Sequence, residues 1–169
     1  EMTPEQKEGY QSLLENRGRL PGPNKIWVHN PKLAKVMGPL GAHFRTGYSL
    51  NDREREIAVC IINAKFHSGY PTGAHERAAK AAGLPADKVE AILSGLTTHF
   101  DDKREQVIYE MGVCLANSRW VSRGLYDRAV EARGHVGITD VITLMGFYSS
   151  VAMTLAFYDV PPGSTGMER

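Results

Sequence analysis

The sequence predicts an all-α protein, and three observations carry that prediction. Helix-start signals recur along the chain, each a capping side chain followed by helix formers. Gly and Pro clusters separate the segments these signals open. No alternating strand pair, hairpin turn or internal repeat competes with them.

Thr3-Pro4-Glu5-Gln6 opens the first helix with a threonine cap, proline at the first position and glutamine three residues after the cap. It is expected to run to about Asn16. Residues 17–29 carry Gly18, Pro21, Gly22 and Pro23 and read as an irregular connection. Asn30-Pro31 opens a second helix ending near Gly47, and Asn51 with Glu54 forms a capping box for a third that reaches Phe66 or His67. After a break at Ser68-Gly69-Tyr70-Pro71, Thr72 is expected to cap a helix that stops at Gly83. Pro85–Ser94, Asp101–Ser118, Ser122–Arg133 (closed by Gly134) and Thr139–Tyr158 complete the set. The tail from Pro161 is expected to fray.

A length of 169 residues suits one domain spanning 1–169, able to bury roughly two-thirds of its unfolded surface. Twenty basic and nineteen acidic side chains leave a net charge of +1 with no basic block, so nothing marks a nucleic-acid or anionic-membrane partner. Cys60 and Cys114 form no redox or metal spacing and read as free thiols of a reducing, cytoplasmic interior. The first fifteen residues lack the apolar core of a signal peptide. The apolar stretch Val141–Val160 contains Thr143, Ser149, Ser150, Thr154 and Asp159, and is expected to be a helix buried on most sides rather than a membrane span.

Chemistry concentrates on the helix from Asn51. At about 100° per residue, Cys60, Asn63 and His67 fall within about 40° of Glu56, so a carboxylate, an amide and an imidazole share a stripe on an apolar helix. The pattern alone leaves a solvent-facing polar edge and a functional stripe both open. His75 lies in the first turn of the helix expected from Thr72, where the positive dipole end favours a neutral ring able to take a proton. Arg45 offers a fork for a substrate carboxylate, against the reading of a surface ion pair. Tyr148 offers a phenol, against the reading of a core aromatic.

These residues resemble a known family. The run Leu50–Leu84, with Arg55-Glu56-Ile57-Ala58, Tyr70, His75 and Ala82-Gly83-Leu84, is similar to the carboxymuconolactone decarboxylase family of the alkylhydroperoxidase D-like superfamily. Arg17-Gly18-Arg19-Leu20-Pro21-Gly22-Pro23 matches an N-terminal signature of its short members, and Val141–Pro161 resembles their closing helix. The resemblance covers nearly the whole chain. It implies an alkylhydroperoxidase D-like domain of seven to eight helices, assembled as a homo-oligomer, a trimer or hexamer.

In the peroxidase branch the resemblance implies a glutamate, a Cys-x-x-Cys and a histidine. Glu56 and His75 stand at the outer positions, but Ser68 and Pro71 hold the cysteine positions, and neither supplies a thiolate. A dithiol peroxidase is therefore excluded on chemical grounds. What remains resembles the decarboxylase branch. That implies a lyase or isomerase that needs no cofactor, moves a proton on a small organic acid or lactone, and serves the breakdown of aromatic compounds. His75, Glu56 and His67 are its expected catalytic residues; Ser68, Tyr70, Arg45 and Tyr148 are its expected substrate contacts. Tyr70-Pro71-Thr72 replaces the family's Tyr-Glu-Trp, so the pocket wall differs and the namesake lactone is not the expected substrate. Two alternatives stand beside it: a metal-dependent or hydrolytic enzyme using Glu56, His67 and His75, and a binding or scaffolding oligomer without activity.

Overall fold

The computed structural model describes residues 2–18, 20, 22–67 and 69–160, and for Tyr70 the backbone alone. Arg19, Pro21, Ser68 and the tail from Pro161 lie outside the described residues. Eight helices and no strand occur among the described residues, in agreement with the expected class. The helices group into two compact units, Ser49–Ala152 and a smaller one from Glu1–Tyr48 with Met153–Arg169.

In the smaller unit α1 (Pro4–Arg17) lies along α3 (Pro31–Thr46). Thr3 and Gln6 form the expected capping box, and Gly18 closes α1 in the left-handed region at φ 72°. The approach is close because Gly9 has no side chain: a Cβ there would stand 3.1 Å from the Pro31 Cα. Leu13, Ala34 and Phe44 on these two helices are buried. Between them α2 (Pro23–Trp27) occupies the segment expected to be irregular. Proline at its first position presets φ without costing a hydrogen bond, and burial of Ile26 and Trp27 holds a helix too short to persist alone.

The larger unit is built around α4 (Asp52–Phe66), which packs on α5 (Gly69–Ala81), α6 (Ala86–Leu93) and α7 (Lys103–Ala116). Asn51 and Glu54 cap α4 reciprocally, as the sequence predicts. Every residue from Glu56 to Asn63 is buried, so the polar stripe is no solvent-facing edge. Helix α5 begins at Gly69, three residues before the expected Thr72 cap. Pro71 is tolerated in its first turn, where backbone N–H groups have no helical partner anyway. Gly112 of α7 meets α4 where a Cβ would stand 2.8 Å from the Ile61 Cδ1.

The last helix, α8 (Arg123–Phe157), replaces the two expected helices. Gly134 does interrupt it, at φ 63° and ψ 174°, but helix resumes directly instead of at Thr139. By length and composition α8 is apolar enough to cross a membrane, and only 39% of its most apolar window is buried. The expectation of burial on most sides is therefore corrected: Val136, Ile142, Met153 and Phe157 are exposed. Val141, Leu144, Val151 and Ala152 form its buried face within the larger unit, and Asp140 accepts a hydrogen bond from the Ser49 amide at 2.8 Å.

A buried acid–base pair on α4 and α5

Glu56, the fifth residue of α4, is 1% exposed, and both its oxygens are occupied. Arg55 Nε donates to Oε1 at 2.8 Å, and His75 Nδ1 lies 2.7 Å from Oε2. Because an arginine can only donate, Oε1 is an acceptor, and the same carboxylate accepts from Nδ1–H. The lone pair on Nε2 is left without a hydrogen-bond partner among the described residues. His75 is 19% exposed, and the Tyr148 ring meets it edge-on, centroids 5.1 Å apart and planes at 89°. Glu56 and Tyr148 thus fix the imidazole in tautomer and in tilt.

The structure changes the reason for one expectation. His75 is the seventh residue of α5, beyond the turn where the helix dipole acts, so its tautomer follows from Glu56 and not from the dipole. Arg55 joins the pair through Glu56, a contact the sequence reading did not foresee. Neighbours along a helix point about 100° apart, so adjacency gives no reason to pair them. Here the long side chain bends back to bridge Glu56 and Asp52, the latter at 2.9 Å.

Other expected residues lie elsewhere. His67 caps α4 in the left-handed region (φ 47°, ψ 38°) and is exposed. It shares the angular stripe of Glu56, but eleven residues of helix separate the two by about 16 Å along the axis. Among the described residues no group of three His, Cys, Asp or Glu side chains is placed to hold a metal, so Glu56, His67 and His75 are not assembled as ligands. Arg45 belongs to the smaller unit, where its guanidinium donates to the backbone carbonyls of Gly41, at 2.9 Å, and Asn16. Ser68 lies outside the described residues, as does the side chain of Tyr70. Asn63, two turns beyond Glu56, is 1% exposed, with neither side-chain polar atom hydrogen-bonded among the described residues.

Cys60 sits one turn beyond Glu56. Burial, reinforced by the carboxylates of Glu56 and Glu76, pushes its thiol up to about 12. A thiol so protonated is neither nucleophile nor redox centre at neutral pH. The native protein is therefore expected to react promptly with no more than one equivalent of Ellman's reagent, at Cys114, and with two after denaturation. It should reduce no peroxide with a dithiol donor. Two equivalents reacting rapidly under native conditions, or peroxide turnover lost in Cys60→Ser, would contradict the burial argument.

No family model matches the chain, and no curated protein matches it in sequence. Solved structures do match it. An uncharacterized peroxidase-related protein from Silicibacter sp. TM1040 superposes with a TM-score of 0.74 at 14% identity, over 99% of this chain and 90% of that one. The fold is alkylhydroperoxidase-like. The debrominase Bmp8 without ligand gives a TM-score of 0.71 at 14% identity, covering 96% of this chain and 88% of that one. Its C82A variant in complex with 2,3,4-tribromopyrrole gives 0.69 at 15% identity, covering 92% and 84%.

Proposed function

We propose that the protein is a cofactor-independent enzyme of the decarboxylase-like kind, moving a proton on a small organic acid or lactone. The observation that carries this reading is the 2.7 Å contact between His75 Nδ1 and the buried Glu56 carboxylate. An imidazole held by a carboxylate on one nitrogen and open on the other is a general acid–base at its free nitrogen. For isomerisation, Nε2 takes a proton from carbon beside a carbonyl, the electron pair passes into the carbonyl as an enolate, and imidazolium returns the proton to another carbon. For decarboxylation, the C–C electron pair passes into the same conjugated system as carbon dioxide leaves. Imidazolium, formed when Nε2 takes up the proton of the substrate's carboxyl group, then protonates the resulting carbon and returns to the neutral ring. Glu56 stabilises the imidazolium in both, while Arg55 holds the carboxylate in line.

The debrominase structure, with its small halogenated pyrrole, supports a compact planar substrate. Its chemistry is not carried over, since Cys60 is buried and protonated and Ser68 and Pro71 stand where the family resemblance implies thiols. A panel of small β-keto acids and unsaturated lactones, followed by carbon dioxide release and by deuterium uptake at carbon, tests the proposal. Neither signal from any member would leave the binding-protein alternative ahead.

The same reading includes assembly as a homo-oligomer, trimer or hexamer. Exposed Val136, Ile142, Met153 and Phe157 along α8 support it, because a monomer leaves that apolar surface in water. Light scattering at micromolar concentration is expected to give a multiple of 18.6 kDa, and the monomer mass would contradict it.

A further inference from the structure

The larger unit contains a cavity of about 580 Å³ between the C-terminal ends of α4 and α7, beside α6. That volume lies within the range of roughly 300–1,000 Å³ typical of small-molecule sites. Neither Glu56 nor His75 lines it, and no carboxylate does so among the described residues. Lys65, His67 and Arg119 are among its polar lining residues, and Ile61, Ile92 and Val113 among its apolar ones. Among the described residues the Lys65 ammonium donates only to the neutral Asn117 side chain, at 3.2 Å, and Arg119 makes no ion pair. Elsewhere in this unit Arg53 is matched with Glu105, Arg104 and Arg133 with Glu54, and Arg128 with Glu110, while Arg77, which does not line the cavity, is in no ion pair among the described residues.

Cations near helix C-termini complement the dipole. That explains Lys65 and Arg119 singly, but not why two unneutralised charges flank a cavity with an apolar wall. We propose that this cavity is a binding site, separate from the Glu56–His75 pair, for an amphiphilic organic anion. Lys65 and Arg119 would hold a carboxylate or phosphate head, with His67 as a further N–H donor, while Ile61, Ile92 and Val113 cover a hydrocarbon or aromatic body. Arginine suits the planar head because it donates through a fork, and the lysine adds a point charge.

The test uses 1-anilinonaphthalene-8-sulfonate, an anion with an aromatic body, as a fluorescent probe of the whole chain. One saturable site per chain is expected. Octanoate or octyl phosphate should displace the probe at concentrations at least tenfold below octan-1-ol, and whichever acts lower identifies the preferred head. Substituting Lys65→Met and Arg119→Met together, both largely solvent-facing, should weaken the probe about tenfold or more while the melting temperature holds. Val113→Trp should fill the cavity and abolish binding, whereas His75→Ala should leave it unchanged. The proposal is overturned if octan-1-ol competes as well as the anions, or if the well-folded Lys65→Met/Arg119→Met protein binds the probe like the parent. A charge pair serving only the helix dipole would give that second result together with a lowered melting temperature.

Discussion

Replacing His75 by alanine, or Glu56 by glutamine, is expected to lower turnover on the responding member of the acid and lactone panel by about two to four powers of ten. Alanine removes the ring that carries the proton. Glutamine keeps the length of the side chain but loses its charge, and it sets an amide N–H against either Arg55 Nε or His75 Nδ1, both donors. The double variant should be little slower than the worse single one, because the two residues act through one imidazole. Tyr148→Phe keeps the edge-on ring and should cost far less. His67→Ala, distant from the pair along α4, should change turnover by no more than about twofold. Glu56 is buried, so each variant's melting temperature is compared with the parent's before a rate is interpreted. A well-folded His75→Ala protein with full activity would remove proton transfer from this site and leave a binding protein in its place.

Local signals carried the helices whose ends are written in neighbouring side chains. Thr3 with Gln6 and Asn51 with Glu54 open α1 and α4 where the capping rule puts them, and Gly134 breaks the last helix by its positive φ. The same rule misplaced the start of α5. Thr72 has the chemistry of a cap, but Pro71 fits inside a first turn as well as before one, and Gly69 leaves the choice to tertiary packing. For α2, Gly22-Pro23 reads as a break or as a helix start with equal right, and only the burial of Ile26 and Trp27 decides between them.

At the site, the family resemblance singled out Glu56 and His75, whose meeting depends on how α5 returns across α4. The stripe that also suggested His67 was an angular argument, and angle says nothing of distance along the axis. Burial of Glu56 and Asn63 was not legible, because periodicity treats a polar residue as facing water until neighbouring helices are known to cover it. Arg55 and the Glu54 network were hidden for a related reason. Their partners come from sequence neighbours that ideal geometry separates, or from residues about fifty to eighty positions away.

That network sets the largest expected effect on stability: Glu54→Ala should destabilise the protein by about 3–5 kcal/mol. Glu54 is 1% exposed, and its carboxylate accepts from Arg104 Nε at 2.7 Å, Arg133 Nη1 at 3.0 Å and the Asn51 amide at 2.9 Å. It therefore caps α4 and ties that helix to α7 and α8 in one contact. Alanine leaves the Arg133 side chain, itself 3% exposed, as a buried cation whose remaining hydrogen bonds among the described residues go to the Ser49 carbonyl and hydroxyl, both at 3.1 Å. Burial already lowers the Arg133 pKa, with Glu54 acting against that shift, so removing Glu54 strands the charge in surroundings that disfavour it. At roughly 2–4 °C per kcal/mol for a chain of this size, the melting temperature should fall by about 6–20 °C. Adding Arg133→Met removes the stranded charge and should recover more than half of the loss, since an apolar pair replaces a buried ion pair at little cost. Thermal melts of the parent, both singles and the double decide the matter. A loss below about 1 kcal/mol in Glu54→Ala, or a double variant as unstable as the two singles summed, would show that the carboxylate does not hold these three helices together.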